Sequence, residues 1–410
     1  MLEKLMAEAG RIGKPAWRPM LRYVAELHAR STHPPRKPFP FPWEEIGPGY
    51  CYGPAFGHWD IVHAVLDAIP SEPEHARFQL LNNLVLQQDD GLIPGSIWLG
   101  EEEPRWNDKA GHPSVWPVAV QDYVETTGDR TILATCFDAL RRLIGWYEKN
   151  RSAEGEGFFY TDILNRSWES GVDEGVRFDL SPSGRLACVD ATSHLYWLYK
   201  YAYRWSEQLG KEEPCYLQRA EELAAFIRES LYDERAGFFY DSWSVDRPET
   251  RAEAFEGIWP VVVGAASPEQ ANRTIDGYLL NGQKLFTAHP LATVAGSDPA
   301  FELRMWRGPA WNSMTYWAAR GCIRYGRVDA AVRLLERALD ASARQYEETG
   351  TIWEFYHPHG GSPLELKRKP HTEFNTPSRD YLGHNPLIAM ARLWEAGGAT
   401  LMRPGSENRQ

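Results

Sequence analysis

The chain has 410 residues and a formal net charge of −12, with 43% hydrophobic and 24% charged residues. These values suit a globular protein with a sizeable core and exclude the basic stripe that tracks nucleic-acid phosphates. No stretch approaches the ~20 apolar residues that span a bilayer, so neither nucleic acid nor membrane is expected as a partner.

Aromatic residues are abundant, with 17 Trp, 19 Tyr and 16 Phe. Their flat faces suit the apolar faces of sugars, and they equally suit a large core. The cysteines (Cys51, Cys136, Cys188, Cys215 and Cys322) are widely spaced, odd in number and without a CxxC pair. That pattern fits reduced thiols in the cytoplasm rather than disulfides or a zinc site.

In chain order, the N-terminal run MLEKLMAEAGRIGKPAW is amphipathic and charged, without the apolar core of a signal peptide. Residues 30–49 contain six prolines and are expected to cross the surface as an extended arm. A helix opens at FGHWDIVHA, where Asp60 could cap it or hold sugar hydroxyls beside Trp59. From there a unit of turn, helix and Gly-aromatic loop recurs. Its clearest copies end in GFFY at Gly157 and Gly237, and weaker copies span residues 68–98, 264–286 and 326–356. Other helical runs lie between them, at 189–209 and 310–325. The run from Tyr381 to Ala396 is expected to pair with the N-terminal helix as a sixth unit. Strand patterning is sparse, limited to small hairpins at the GFFY loops. The expectation is an all-α (α/α)6 toroid forming a single domain over 1–410, with a frayed tail at 402–410. An open solenoid is less suitable, because no polar capping repeat is evident.

In such a toroid the long loops crowd one end and line a pocket. Four segments carry carboxylates or Trp there. SWESGVDEGVRFD (167–179) holds Trp168, Glu169, Asp173, Glu174 and Arg177 among glycines. A carboxylate beside Trp in a dry pocket suits a proton donor, but chemistry alone does not separate Asp173 from Glu169 and Glu174. GTIWEFYHPHGG (350–361) sets Glu354 within an aromatic run, where a lone charge is costly unless paired or functional. FGHWDIVHA and RMWRGPAWNSM supply Trp59, Asp60, Trp306, Gly308 and Trp311. Metal-ligand spacing, a P-loop, a dinucleotide fingerprint and a nucleophile elbow are all missing, so no metal or cofactor is expected.

These segments, in this order, resemble the catalytic domain of glycoside hydrolase family 63, in the group with trehalases. The match runs over roughly residues 40–395, through WDIVHA at Trp59, QQDDGLIPG at Gln87, WESGVD at Trp168, WRGPAW at Trp306 and EFYHPHGG at Glu354. The small bacterial members acting on mannosylglycerate or glucosylglycerate are the most similar in length. The resemblance implies Asp173 as general acid and Glu354 as general base of an inverting hydrolysis. It implies sugar contacts from Trp59, Asp60, Trp168, Arg177, Trp306, Gly308, Trp311 and Tyr356. His112, a further candidate sugar contact, stands in His-Pro-Ser where the family commonly has Gln-Pro-Pro with a sugar-contacting Gln; whether it replaces that Gln is open in the sequence. The implied substrate is a small α-linked glucoside or mannoside. A glycerate carboxylate on it would need a cation near the leaving group, for which Arg177, Arg304 and Arg307 are candidates. A sugar epimerase on the same toroid, acting through histidines, and a non-catalytic sugar-binding protein are the competing readings. The assembly is expected to be a monomer or homo-oligomer.

Overall fold

The computed structural model describes residues 2–100 and 103–401; the expected frayed tail at 402–410 lies outside them. Six helical hairpins form a ring. The outer helices are Arg18–Ser31, Pro73–Asn82, Leu133–Asn150, Pro214–Ser230, Pro268–Thr274 and Val328–Thr349. The inner helices are Asp60–Ala68, Trp116–Thr127, Val189–Gln208, Trp259–Val263, Asn312–Arg324 and Leu387–Leu401. The last inner helix packs on both Asp60–Ala68 and Arg18–Ser31, which closes the ring. The architecture is the expected (α/α)6 toroid.

Burial explains which helix lies where. The outer helix Pro214–Ser230 buries only Ala220, Leu223, Ala224 and Ile227, a single stripe at helical spacing. The inner helix Val189–Gln208 is buried almost all round from Val189 to Tyr199, as a helix enclosed by neighbours must be. Helix Val328–Thr349 stops at Gly350, whose φ of 67° is left-handed. That turn releases the chain directly into the loop that carries Glu354.

The ring's axis is filled, not open. Trp197 and Trp259 pack against Trp317 with ring centroids 5.8 and 6.2 Å apart. Trp317 donates through its indole N–H to His63 Nε2 at 3.0 Å, and His63 Nδ1 donates to the Gly383 carbonyl at 2.6 Å. Those two bonds fix a neutral imidazole, and burial lowers its pKa to about 4.

Two expectations are corrected. The proline-rich segment does not run as an extended arm. Its first two residues end helix Arg18–Ser31, and Thr32–His33 then pairs antiparallel with Trp43–Glu44. Phe39 and Trp43 are apolar enough to turn the hairpin inward, and both are buried. Prolines offer carbonyls but no N–H; Gln79 and Asn82 each donate to the Pro42 carbonyl at 3.0 Å. The second correction is at the C-terminal run. The helix begins only at Leu387 and packs on Val328–Thr349 as well as on the N-terminal helices. Residues 381–385 form a loop that reaches the site.

Hairpin strands are short, as expected, with Tyr232–Asp233 pairing with Phe238–Phe239. A three-stranded antiparallel sheet of Ala55–Gly57, Ser96–Trp98 and Arg105–Trp106 was not legible in the pattern. It delivers the chain to Trp59. Among the described residues, no helix is long and apolar enough to cross a membrane.

Candidate active site

A cavity of about 220 Å³ opens at the long-loop end, lined by residues from five separate loops. Trp59, Trp306 and Trp311 form one wall. Trp306 and Trp311 stack at 3.7 Å with planes 5° apart, and Trp59 lies parallel to Trp306 at 6.0 Å. Gly171 makes this possible: a Cβ there would sit 2.0 Å from the Trp59 ring.

Asp60 projects beside this wall from the first turn of its helix. It does not cap the helix with its side chain. Its Oδ1 accepts the Tyr381 hydroxyl at 2.8 Å, and His384 Nε2 lies 3.7 Å away. Gly57 and Gly383 leave room for it, since a Cβ at either would fall 2.2 Å from a carboxylate oxygen. Burial raises the Asp60 pKa to about 7; the Tyr381 bond opposes this, and the charges of Glu354 and Asp173 add to it.

Of Glu169, Asp173, Glu174 and Asp179 in the 167–179 loop, only Asp173 lines the cavity. Glu169 is fully buried behind it, accepting from Arg151 Nε at 2.9 and 2.8 Å and from the Thr161 N–H at 2.7 Å. Glu174 has a left-handed backbone, φ 57°, and pairs with Arg304 at 3.4 Å. Asp173 itself meets a cation, with Oδ2 2.7 Å from Lys369 Nζ. Trp168 stands at the lip, 41% exposed.

Glu354 enters from a different loop, buried to 2% exposure. Its strand-like segment is sewn in on both sides, with Tyr356 bridging Ala310 and Trp353 bridging Arg379. Arg368 Nε donates to both carboxylate oxygens at 3.0 and 2.8 Å, and the Ser378 N–H donates to Oε2 at 2.9 Å. Arg368 Nη1 in turn donates to the Tyr52 hydroxyl at 3.1 Å.

His112 also lines the cavity, and burial lowers its pKa to about 4, so it is neutral at pH 7. Its Nδ1 and the Trp59 indole N–H are buried without a hydrogen-bond partner in the protein.

Three anticipated contacts do not face the cavity. Arg177 is buried behind the loop, donating at 2.9–3.1 Å to both Asp190 and Asp241. Those acids and Cys188 are the one group with metal-ligand proximity among the described residues, and the guanidinium already holds both carboxylates. Gly308 serves packing, since a Cβ there would meet the Glu302 carbonyl at 2.5 Å. Tyr356 lies beneath Glu354, accepting the Trp353 N–H and donating to Asn385. Arg304 and Arg307 are likewise tied to Glu302, Glu174 and Asp179.

The cavity also contains Tyr50, Tyr52, Trp98, Arg368, Lys369, Tyr381 and His384, none of which the motifs singled out. Tyr50 and Tyr52 carry a signal in retrospect, because GPGYCYG repeats the Gly-aromatic signature just before Trp59. LKRKP, around Arg368 and Lys369, reads as an ordinary solvated basic run.

Comparison with known proteins identifies the family. Residues 54–381 match the model of the mannosylglycerate hydrolase MGH1-like glycoside hydrolase domain. The mannosylglycerate hydrolase of Rubrobacter radiotolerans is 22% identical, covering 78% of this chain and 90% of its own. The structure of the family 63 mannosylglycerate hydrolase from Thermus thermophilus in complex with Tris superposes with a TM-score of 0.69 at 19% identity, covering 91% of this chain and 99% of that one. Neutral trehalase Nth1 from Saccharomyces cerevisiae gives 0.65 at 16% identity, covering 93% and 84%. The chain therefore belongs to the MGH1-like glycoside hydrolases of glycoside hydrolase family 63 and is a glycosidase.

Proposed function

We propose that this glycosidase hydrolyses a small α-linked glucoside or mannoside with inversion, with Asp173 as general acid and Glu354 as general base. Candidate substrates are glucosylglycerate, mannosylglycerate and α-linked disaccharides. The observation that carries the reading is the pair itself. Asp173 and Glu354 reach one small cavity from separate loops, beside a stacked Trp wall.

In this mechanism the sugar lies against Trp59 and Trp306, with Asp60 and His112 meeting its hydroxyls. Asp173 protonates the glycosidic oxygen as the bond to C1 breaks. Glu354 takes a proton from the water that attacks C1 on the opposite face, the arrangement inversion requires. Arg368 holds both Glu354 oxygens, so the base has a fixed orientation. Trp168, exposed at the lip, touches the leaving half in this reading.

His112 and His384 in the cavity are the feature an epimerase would use. Both are buried with lowered pKa values, and family membership places the chain with hydrolases. Free thiols at all five cysteines support a cytoplasmic setting.

The test is hydrolysis of an α-glycoside panel, with the first-formed anomer followed by NMR. Inverted product is expected, lost on Asp173→Asn and on Glu354→Gln. A retained anomer, or near-native turnover by either variant, overturns the assignment.

A further inference from the structure

The cavity contains two cations, and they are not equivalent. Arg368 is committed: its Nε serves Glu354 and its Nη1 serves Tyr52. Among the described residues, Lys369 has one ion-pair partner, Asp173, at 2.7 Å. An ammonium carries three donors, so this side chain, about a fifth exposed, retains donors for an incoming group. Its Nζ also sits 5.5 Å from the centre of the Tyr52 ring. The ion pair needs Asp173 as a carboxylate, whereas a general acid must arrive protonated.

We propose that Lys369 recognises an anionic substituent, a carboxylate, on the leaving half of the substrate, and that this substituent releases Asp173 to act as the proton donor. The proposal rests on the reading of Asp173 as general acid. It makes Lys369 both the specificity determinant and the charge gate of that acid.

The charges balance. Before substrate binds, the Lys369 ammonium neutralises the Asp173 carboxylate. A bound carboxylate takes over the ammonium, leaving Asp173 beside a new anion in a cavity that also holds Glu354 and Asp60. Asp173 then takes one proton from solvent. That proton passes to the glycosidic oxygen as the C1–O bond breaks. The attacking water bonds to C1, and its proton goes to Glu354 and then to solvent. The leaving alcohol departs with its carboxylate, and Lys369 returns to Asp173. The other titratable groups on the cavity cannot substitute for Lys369: His112 and His384 are held neutral by burial, Tyr50 and Tyr381 are held as phenols, and Arg368 stays on Glu354. Lys369 remains charged: burial opposes its charge, and Asp173 more than offsets this, raising its pKa.

The experiment compares kcat/KM for α-glucosyl- and α-mannosylglycerate with the matching uncharged α-glycosylglycerols. The enzymes are the wild type, Lys369→Met and Lys369→Arg. Wild type is expected to prefer the glycerates by about 10- to 100-fold, the range of a hydrogen-bonded charge. Lys369→Met should lose that preference, and its kcat/KM profile on the glycerols should extend to higher pH. Lys369→Arg, which keeps a cation, should retain most of the preference. Equal losses on both substrates in Lys369→Met with an unmoved pH profile would reduce Lys369 to a structural residue. A wild type indifferent to the carboxylate overturns recognition while leaving the glycosidase mechanism intact. A wild type inert on all four overturns the substrate class, and this proposal with it.

Discussion

Arg368 Nε lies 2.8 Å from Glu354 Oε2 in a pair whose side chains are only 3% and 2% exposed. A buried pair of this kind has an asymmetric energy: its net contribution is modest, but removing one partner strands the other charge. Arg368→Met is expected to destabilise the protein by about 3–5 kcal/mol and to abolish turnover, because Glu354 loses its fixed orientation. Urea unfolding monitored by tryptophan fluorescence checks the first part. A stable, active Arg368→Met would show that the guanidinium is dispensable to the base.

The two carboxylates proposed as catalytic should separate on stability while agreeing on activity. Each of Asp173→Asn and Glu354→Gln is expected to lower kcat by about 10²–10⁴-fold, the usual contribution of general acid–base catalysis. Asp173 and Lys369 are each about one-fifth exposed, so water screens the loss of their pair. Asp173→Asn should therefore unfold within about 1 kcal/mol of wild type. Glu354→Gln strands the buried Arg368 charge and should unfold measurably earlier. Parallel melting curves and steady-state rates test the contrast, and equal melting of the two would contradict the burial argument.

The site's legibility followed the length scale of its signals. Trp59–Asp60, Trp306 and Trp311, Asp173 and Glu354 sit in short motifs whose chemistry is local, and the fold brings all six to one cavity. Glu169, Asp173 and Glu174 could not be separated by sequence, because what distinguishes them is the cation the fold presents to each: Arg151, Lys369 and Arg304. Arg177 misled for the same reason: its partners Asp190 and Asp241 lie 13 and 64 residues away. Lys369 and Tyr381 reach the site through tertiary packing alone. In the fold, the toroid was legible from the repeat, but the fourth inner helix, Trp259–Val263, spans only five residues and leaves too short a period to read.

Gly171 sets the position of the Trp59 wall and offers a separate test. Its φ is 72°, and an added Cβ would sit 2.0 Å from the indole. Gly171→Ala therefore combines left-handed strain with a clash that only movement of Trp59 can relieve. A loss of about 1–3 kcal/mol is expected from the overpacking, together with a rise in KM larger than any fall in kcat, since in the proposed mechanism the wall binds the ring without carrying a proton. Kinetics on the preferred substrate decide the point. Unchanged KM would mean that Trp59 does not contact the sugar.

The last prediction concerns pH and lies away from the site, at the joint between the proline-rich hairpin and the ring. His28 Nδ1 meets Glu44 Oε1 at 2.5 Å and His28 Nε2 meets Asp67 Oδ2 at 3.2 Å, while His75 Nε2 donates to Glu44 Oε2 at 2.7 Å. Burial works against charge on His28, but Glu44 and Asp67 overcome it and raise its pKa to about 10. Burial likewise opposes charge on Glu44, and His28 and His75 overcome it, lowering its pKa to about 2. A raised histidine stabilises the fold in full below its unfolded pKa of about 6.5, and that contribution fades as pH climbs towards 10. A depressed glutamate contributes in full above its unfolded value of about 4.3, and that contribution fades as pH falls towards 2. The two windows overlap between about pH 4.5 and 6.5. The unfolding free-energy gap between wild type and His28→Asn should therefore be widest there, on the order of 3–5 kcal/mol for a broken buried pair, and should narrow steadily from pH 7 to pH 10. Denaturant titrations at intervals of one pH unit measure the gap directly. A gap that widens on the alkaline side would mean that His28 is neutral in the folded protein and that Glu44 draws its charge compensation from elsewhere.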